Sequence, residues 1–265
     1  MIRPLWFFWG QDHMSFLRWL TLYSACKIHE DVRLIYRANP VQSEVHWSEQ
    51  QDWQLPKSDW TNWREKVATL SLREIEINDI APGIADLCAP DIHTSDLLAW
   101  YLLTTYGGTM ADMDILFLKP LPEIIHDVEV VRFTAHPKPN YIPVSFMQGK
   151  PCDTWRSAYW KALSAYDPKE YESCGTGCLE YGGTAHLDEH IIFPFAGKDL
   201  RWSDWHRLFF SADDWPALPD TCCGIHWYAG HNQKWNININ DVDDLTDGLI
   251  SHHAKEILRH ARISS

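Results

Sequence analysis

No apolar run in this sequence approaches the ~20 residues needed to span a bilayer. The opening, Met1-Ile2-Arg3-Pro4-Leu5-Trp6, reaches Trp9-Gly10 without the apolar stretch of a cleavable leader. A cytoplasmic protein with no membrane-spanning segment is therefore expected. Positive charge is scarce as well: 23 lysines and arginines face 36 aspartates and glutamates, giving a formal charge of −13. Duplex recognition draws most of its affinity from basic side chains that neutralise phosphates, so nucleic acid is not an expected partner. No internal repeat, low-complexity tract or linker divides the chain, and 265 residues with 45% hydrophobic side chains suffice for one large core. One domain over residues 1–265 is expected.

Cysteine is too sparse to staple the fold. Seven cysteines, an odd number, in a chain able to hold a core without cross-links point to reduced thiols. Cys174 and Cys178 with Cys222-Cys223 offer the residue types of a zinc cluster, but C-x3-C plus C-C lacks the two-residue spacing of zinc knuckles.

Tryptophan is abundant: 15 of 35 aromatic residues. Aromatic faces can stack on bases and on the C–H faces of sugars, although core and edge packing accounts for most of them. An acidic protein that must hold a small diphosphate also needs local positive charge, which a divalent cation held by carboxylates can supply.

Leu5–Trp9 has the length and aromatic content of a buried strand, ended by Gly10-Gln11-Asp12. From Ser15 the period changes. Phe16, Leu17, Trp19, Leu20, Tyr23, Cys26 and Ile28 follow helical spacing, and Val32–Tyr36 returns to strand character. Such a β-α-β unit closes right-handed onto a parallel sheet, with ligands at the carboxyl ends of its strands. Residues 42–58 read as an irregular, tryptophan-bearing loop, and 59–72 has helical spacing. A second strong helix is expected to begin near Thr94 or Ser95, with Asp96 in its first turn, and to stop at Gly107-Gly108. Beyond the acidic segment, 128–133 and 143–147 read as strands, 153–166 as a helix, 174–183 as a glycine-rich loop and 252–262 as a closing helix.

Asp112 and Asp114 stand two apart in an otherwise apolar run, so an extended backbone sends both carboxylates from one face. Two shielded carboxylates repel unless a cation neutralises them, and oxygen ligands suit Mg2+ or Mn2+. A solvated turn is the alternative for the bare D-x-D pattern.

The context is more specific. Ser95-Asp96-Leu97-Leu98, then Tyr106-Gly107-Gly108-Thr109-Met110-Ala111-Asp112-Met113-Asp114-Ile115, then Lys119-Pro120-Leu121 resembles the signature of the D-x-D sugar-binding-region glycosyltransferases. That group includes the yeast-type initiating mannosyltransferases, the α-1,4-glycosyltransferases and the clostridial glucosylating toxins. The resemblance implies an α/β fold of the GT-A nucleotide-diphospho-sugar transferase type, a Rossmann-like mixed sheet flanked by helices. It also implies a nucleotide-sugar donor (UDP- or GDP-linked), a glycan or other hydroxyl acceptor, and transfer with retention.

By the same resemblance, Asp112 and Asp114 anchor Mn2+ or Mg2+ and the ribose-diphosphate. Trp9 stacks on the donor base, Arg37 and Asn39 lie in the donor loop after the second strand, and Asp96 holds the donor sugar. The sequence departs from the pattern at Ala99, where many relatives carry an arginine. Either Arg37, Lys150 or Lys234 supplies the missing cation, or the pocket takes a different donor sugar.

Residues 224–235 mix histidine, amide, lysine and tryptophan in a segment too polar for core. His226 is the expected third metal ligand, and Asn232 or Lys234 the expected diphosphate contact. Histidines hydrogen-bonded within an aromatic loop are the alternative. In His186-Leu187-Asp188-Glu189-His190, Asp188 or Glu189 is a candidate for sugar or acceptor binding, with an ordinary acidic helix start as an equal alternative. His186 and His190 on one helix face would instead suit a metal hydrolase, though the order is not H-E-x-x-H. A lectin-like module with tryptophan platforms is a further rival.

Overall fold

The computed structural model describes residues 3–41, 61–131, 142–180, 183–187, 191–192, 217–227, 229, 239, 241–245 and 248–263. Strand β1 (Leu5–Trp9) pairs in parallel with β2 (Val32–Tyr36), Phe7 opposite Leu34, and helix α1 (Phe16–Ile28) makes the crossover. The expected β-α-β unit is present at the expected boundaries.

Side chains alternate along β1, so its residues feed two cores. Leu5, Phe7 and Trp9 join a core with α1, while Trp6 and Phe8 join a second core across the sheet. Burying an aromatic of this size stabilises by roughly 2–3 kcal/mol, which explains why an uninterrupted apolar run is a central strand.

The sheet continues with β3 (Arg73–Glu76) beyond β2, and on the other side with β4 (Gly108–Ala111), β7 (Phe146–Gly149), β6 (Val128–Val130) and β8 (Ala185–His186). Its order is β3-β2-β1-β4-β7-β6-β8, with β7 antiparallel to both of its neighbours. Short helices α2 (Ile77–Ile80) and α3 (Pro82–Ala85) lead into α4 (Asp91–Thr105), and α5 (Asp153–Ala165) follows β7. Helices α4 and α5 cover the Trp6 side of the sheet, where Trp100 and Trp155 meet with ring centroids 6.1 Å apart. A smaller sheet, β5 (Ile115–Phe117), β10 (Gly224–His226) and β9 (Ile191–Ile192), lies on the α1 side, where α6 (Leu249–Ile263) adds Leu249, Ile250 and Ala254 to the core. The mixed α/β sheet flanked by helices is the architecture expected from the sequence.

Several details differ. Helix α4 begins at Asp91, a turn before Thr94, because Pro90 is its N-cap and Asp91, Ile92 and His93 are all buried. Asp96 therefore lies in the second turn. Residues 63–69 form a 3-10 helix, and Phe146–Gly149 is the strand expected at 143–147. His186 lies in a strand, which removes the helix face proposed for His186 and His190. At the end of α4, Gly107 and Gly108 adopt φ of +66° and +107° and carry the chain into β4, as the paired glycines predict.

Candidate functional site

The segment read as one extended run, 109–118, is broken at Asp112-Met113-Asp114. Strand β4 belongs to the large sheet and β5 to the small one, so the triplet is the turn at which the chain changes sheets. It follows the carboxyl end of β4, which runs parallel to β1 and β2. In open α/β sheets that edge is where ligands bind.

Pairing with β10 brings in the histidine. Strand β10 is antiparallel to β5 with His226 opposite Ile115, and Trp227 donates its N–H to the Asp114 carbonyl at 2.9 Å. His226 Nε2 lies 3.0 Å from Asp114 Oδ1, and the backbone N–H of Ala229 donates to Oδ2 at 2.9 Å. One ligand atom each from Asp112, Asp114 and His226 lies within 4.8 Å of the others. Two oxygens and an imidazole nitrogen at that spacing match the donor set and size of a Mn2+ or Mg2+ site, so the residues fit the metal that the sequence implied.

The two aspartates are not equivalent. Asp114 is 7% exposed, and although burial alone would raise its pKa, the net direction is well below the ordinary carboxyl value. His226, the Arg18 guanidinium and the Ala229 N–H hold it ionised. Asp112 is pushed up to about 6, first by burial and then by the charge on Asp114.

Arg18 was not singled out in the sequence. It sits in the first turn of α1, 5% exposed, with Nη1 3.8 Å from Asp114 Oδ1. Its guanidinium carbon lies 5.5 Å from the centroid of one Trp9 ring and 5.4 Å from that of Trp227. The N-cap Ser15 accepts the Arg18 backbone N–H, which fixes where the side chain leaves the helix. The available signal was a lone arginine inside Phe16-Leu17-Arg18-Trp19-Leu20, directly after the first strand.

Trp9 itself is 2% exposed, its indole N–H donated to the His13 carbonyl at 2.9 Å. Stacking a base on it would require the ring to be uncovered. Arg37 is 8% exposed and donates to Asp91 Oδ1 at 2.9 Å, to Thr94 Oγ1 at 2.8 Å and to the Ala89 carbonyl at 3.2 Å. Gln11 Nε2 donates to the other Asp91 oxygen. The Arg37 charge is thus paired with Asp91, and Lys150 Nζ donates to the Ile125 carbonyl at 2.6 Å. Asn39 is exposed after β2, and Ala99 is buried in the core beside α5.

Asp96 borders the triplet. Its pKa is raised well above the ordinary value by burial, then by Asp112 and Glu172. Glu172 comes from a loop, 167–178, pinned along one side of α4. His93 Nε2 contacts the Glu170 carbonyl at 2.9 Å, and Trp100 Nε1 donates to the Cys174 carbonyl at 2.8 Å. Gly175 lies against Asp96, close enough that a Cβ there would stand 3.2 Å from Oδ2. Tyr171, on the same loop, is 60% exposed. The sequence reading assigned no role to Tyr171 or Glu172, which carry no motif.

Asp188, Glu189, His190, Asn232 and Lys234 lie outside the described residues. All seven cysteines are free thiols, and burial pushes Cys26, Cys174 and Cys223 up to about 12. Among the described residues the groupings able to hold a metal are the Asp112 triad and His252-His253-Glu256 on α6, and neither contains cysteine. No helix of the described residues is long and apolar enough to cross a membrane.

No protein-family profile and no curated protein sequence matches the chain. Solved structures similar to it include the PaToxG glycosyltransferase, at 16% identity over 67% of this chain and 67% of that one, with a TM-score of 0.47. The apo form of the glycosyltransferase GlyE of Streptococcus pneumoniae TIGR4 is similar at 12% identity over 98% of this chain, with a TM-score of 0.47. The apo bifunctional glycosyltransferase WbbM is similar at 9% identity over 97%, with a TM-score of 0.46. This chain spans 64% of the length of GlyE and 51% of WbbM.

Proposed function

We propose that this chain is a metal-dependent, retaining glycosyltransferase of the GT-A type that moves a hexose from a UDP- or GDP-sugar to a glycan or other hydroxyl acceptor. The observation that carries the proposal is the meeting of Asp112, Asp114 and His226 at the carboxyl edge of the large sheet, two carboxylates from the turn between β4 and β5 and an imidazole from β10. A divalent ion held there supplies charge for the departing nucleoside diphosphate.

The chain's own residues supply position. Asp114 is locked by His226, Ala229 and Arg18, so its carboxylate is oriented before any ligand arrives. Asp96, whose carboxyl is pushed well above its ordinary value by burial and then by Asp112 and Glu172, stands beside the triplet as a hydrogen-bonding group for the donor sugar. Retention places the acceptor hydroxyl on the face from which the diphosphate departs. The hydroxyl oxygen bonds to the anomeric carbon as the bond to the diphosphate breaks, and the hydroxyl proton passes to the leaving oxygen. Glu172 and the exposed Tyr171 interact electrostatically with Asp96 and are candidates to meet the donor sugar or the acceptor.

The test is release of nucleoside diphosphate from a panel of UDP- and GDP-sugars with Mn2+. Asp112→Asn should lower the rate roughly 100-fold or more. Sugar binding without release from any donor would favour a tryptophan-rich binding module. Release that survives loss of Asp112 but disappears with His186 would favour a hydrolase.

A further inference from the structure

Arg18 places a cation at the triad before any metal is present. The residue is 5% exposed, its guanidinium flanked by the Trp9 and Trp227 rings and 3.8 Å from Asp114 Oδ1. Arginine remains protonated at any working pH. The two carboxylates and the one guanidinium that faces them sum to a single net negative charge. Most of that charge lies on Asp112, because Asp114 is the aspartate the guanidinium faces. A divalent ion entering such a site overcompensates it, leaving a net positive charge in a buried place, which is costly unless an anion follows.

We propose that Arg18 is a resident counter-cation that keeps the triad a weak site for a bare divalent ion and makes metal and diphosphate bind as a pair. The inference rests on the metal-dependent reading above and deepens it by assigning how the ion is recruited. Arg18 is a positioning residue: it acts through Asp114, with the two indoles preventing the guanidinium from swinging away. Without it, the carboxylates would form a doubly negative site that holds the ion firmly whether or not a donor is bound.

The test is calorimetric titration of Mn2+ into the full chain, with and without UDP or GDP, for wild type, Arg18→Met, Arg18→Lys and Asp112→Asn. In wild type the diphosphate should tighten Mn2+ binding at least tenfold, and Mn2+ should tighten diphosphate binding by the same factor. Arg18→Met should bind Mn2+ alone about tenfold or more tightly than wild type, with the diphosphate-linked gain reduced. Arg18→Lys, which keeps the charge, should stay close to wild type. A merely structural arginine would weaken the site when removed, so the direction of the change separates the two roles. Unchanged or weaker Mn2+ binding in Arg18→Met, with its circular dichroism intact, overturns the inference. If Arg18→Met does not fold, Arg18→Gln is read by the same criterion. No Mn2+ uptake by wild type under either condition, or undiminished uptake by Asp112→Asn, overturns the metal-dependent reading itself and the inference with it.

Discussion

Two aspartates two positions apart in sequence have opposite electrostatic fates. Asp114 is surrounded by Arg18, His226 and a backbone N–H and is held ionised, whereas Asp112 is pushed up to about 6 by burial and by its neighbour. Their removal should therefore differ. Asp114→Ala takes a carboxylate from beside the buried Arg18 guanidinium and an acceptor from the Ala229 N–H, and should cost about 3 kcal/mol. Asp112→Ala removes a repelled charge and should leave stability unchanged or slightly higher. Urea unfolding of both variants without metal checks this, and equal destabilisation would contradict the assignment.

The pH dependence follows with a definite sign. Because the Asp112 pKa is raised to about 6, the folded chain loses stability as pH climbs from the ordinary carboxyl range through that value. Asp114, with a lowered pKa, contributes stability that is present above the ordinary carboxyl value and lost only as pH falls below it. A cation between the carboxylates relieves the Asp112 penalty. The rise in Tm produced by Mn2+ should accordingly grow as pH increases through about 6 and be absent in Asp112→Asn. A Mn2+ effect independent of pH over that range would show that Asp112 is not a ligand.

At the scale of elements, periodic and long segments were legible. The run Leu5–Trp9, the helix capped by Ser15 and the strand Val32–Tyr36 were readable because burial on one or both faces leaves an apolar pattern in the sequence. The start of α4 was placed a turn late because its first turn buries Asp91 and His93, which read as loop residues. The buried partner of Asp91 is Arg37, which comes from the segment after β2. Strands β5 and β10, three residues each, are too short for periodicity to mark, and their pairing creates the triad.

One close approach in this region gives a test. A Cβ on Gly10 would stand 2.2 Å from Asp91 Oδ1, so Gly10→Ala should displace Asp91 from Gln11 and Arg37. Taking from Arg37 its carboxylate partner, with the Ala89 carbonyl and Thr94 hydroxyl left to accept from it, should lower stability by about 2 kcal/mol, measurable by thermal unfolding, although no candidate ligand of the metal has been changed.

For the molecule as a whole, the class of fold was legible in the sequence, as was the carboxylate pair on which the proposed site rests. The uninterrupted apolar run of β1 required a sheet covered on both faces, and two aspartates in an apolar run before Lys119-Pro120 were unusual enough to single out a candidate site. Tertiary structure decided what surrounds that pair. Strand β4 ends in the large sheet and β5 begins the small one, so the triplet became a turn between them. Pairing with β10 delivered His226 from 112 residues away, and α1 placed Arg18 against Asp114, a role no local pattern marks. A residue's neighbours along the chain govern strand and helix formation, so that information is local and readable. The cation facing a buried carboxylate is chosen by how sheets and helices stack, and the sequence of either partner alone does not contain that choice.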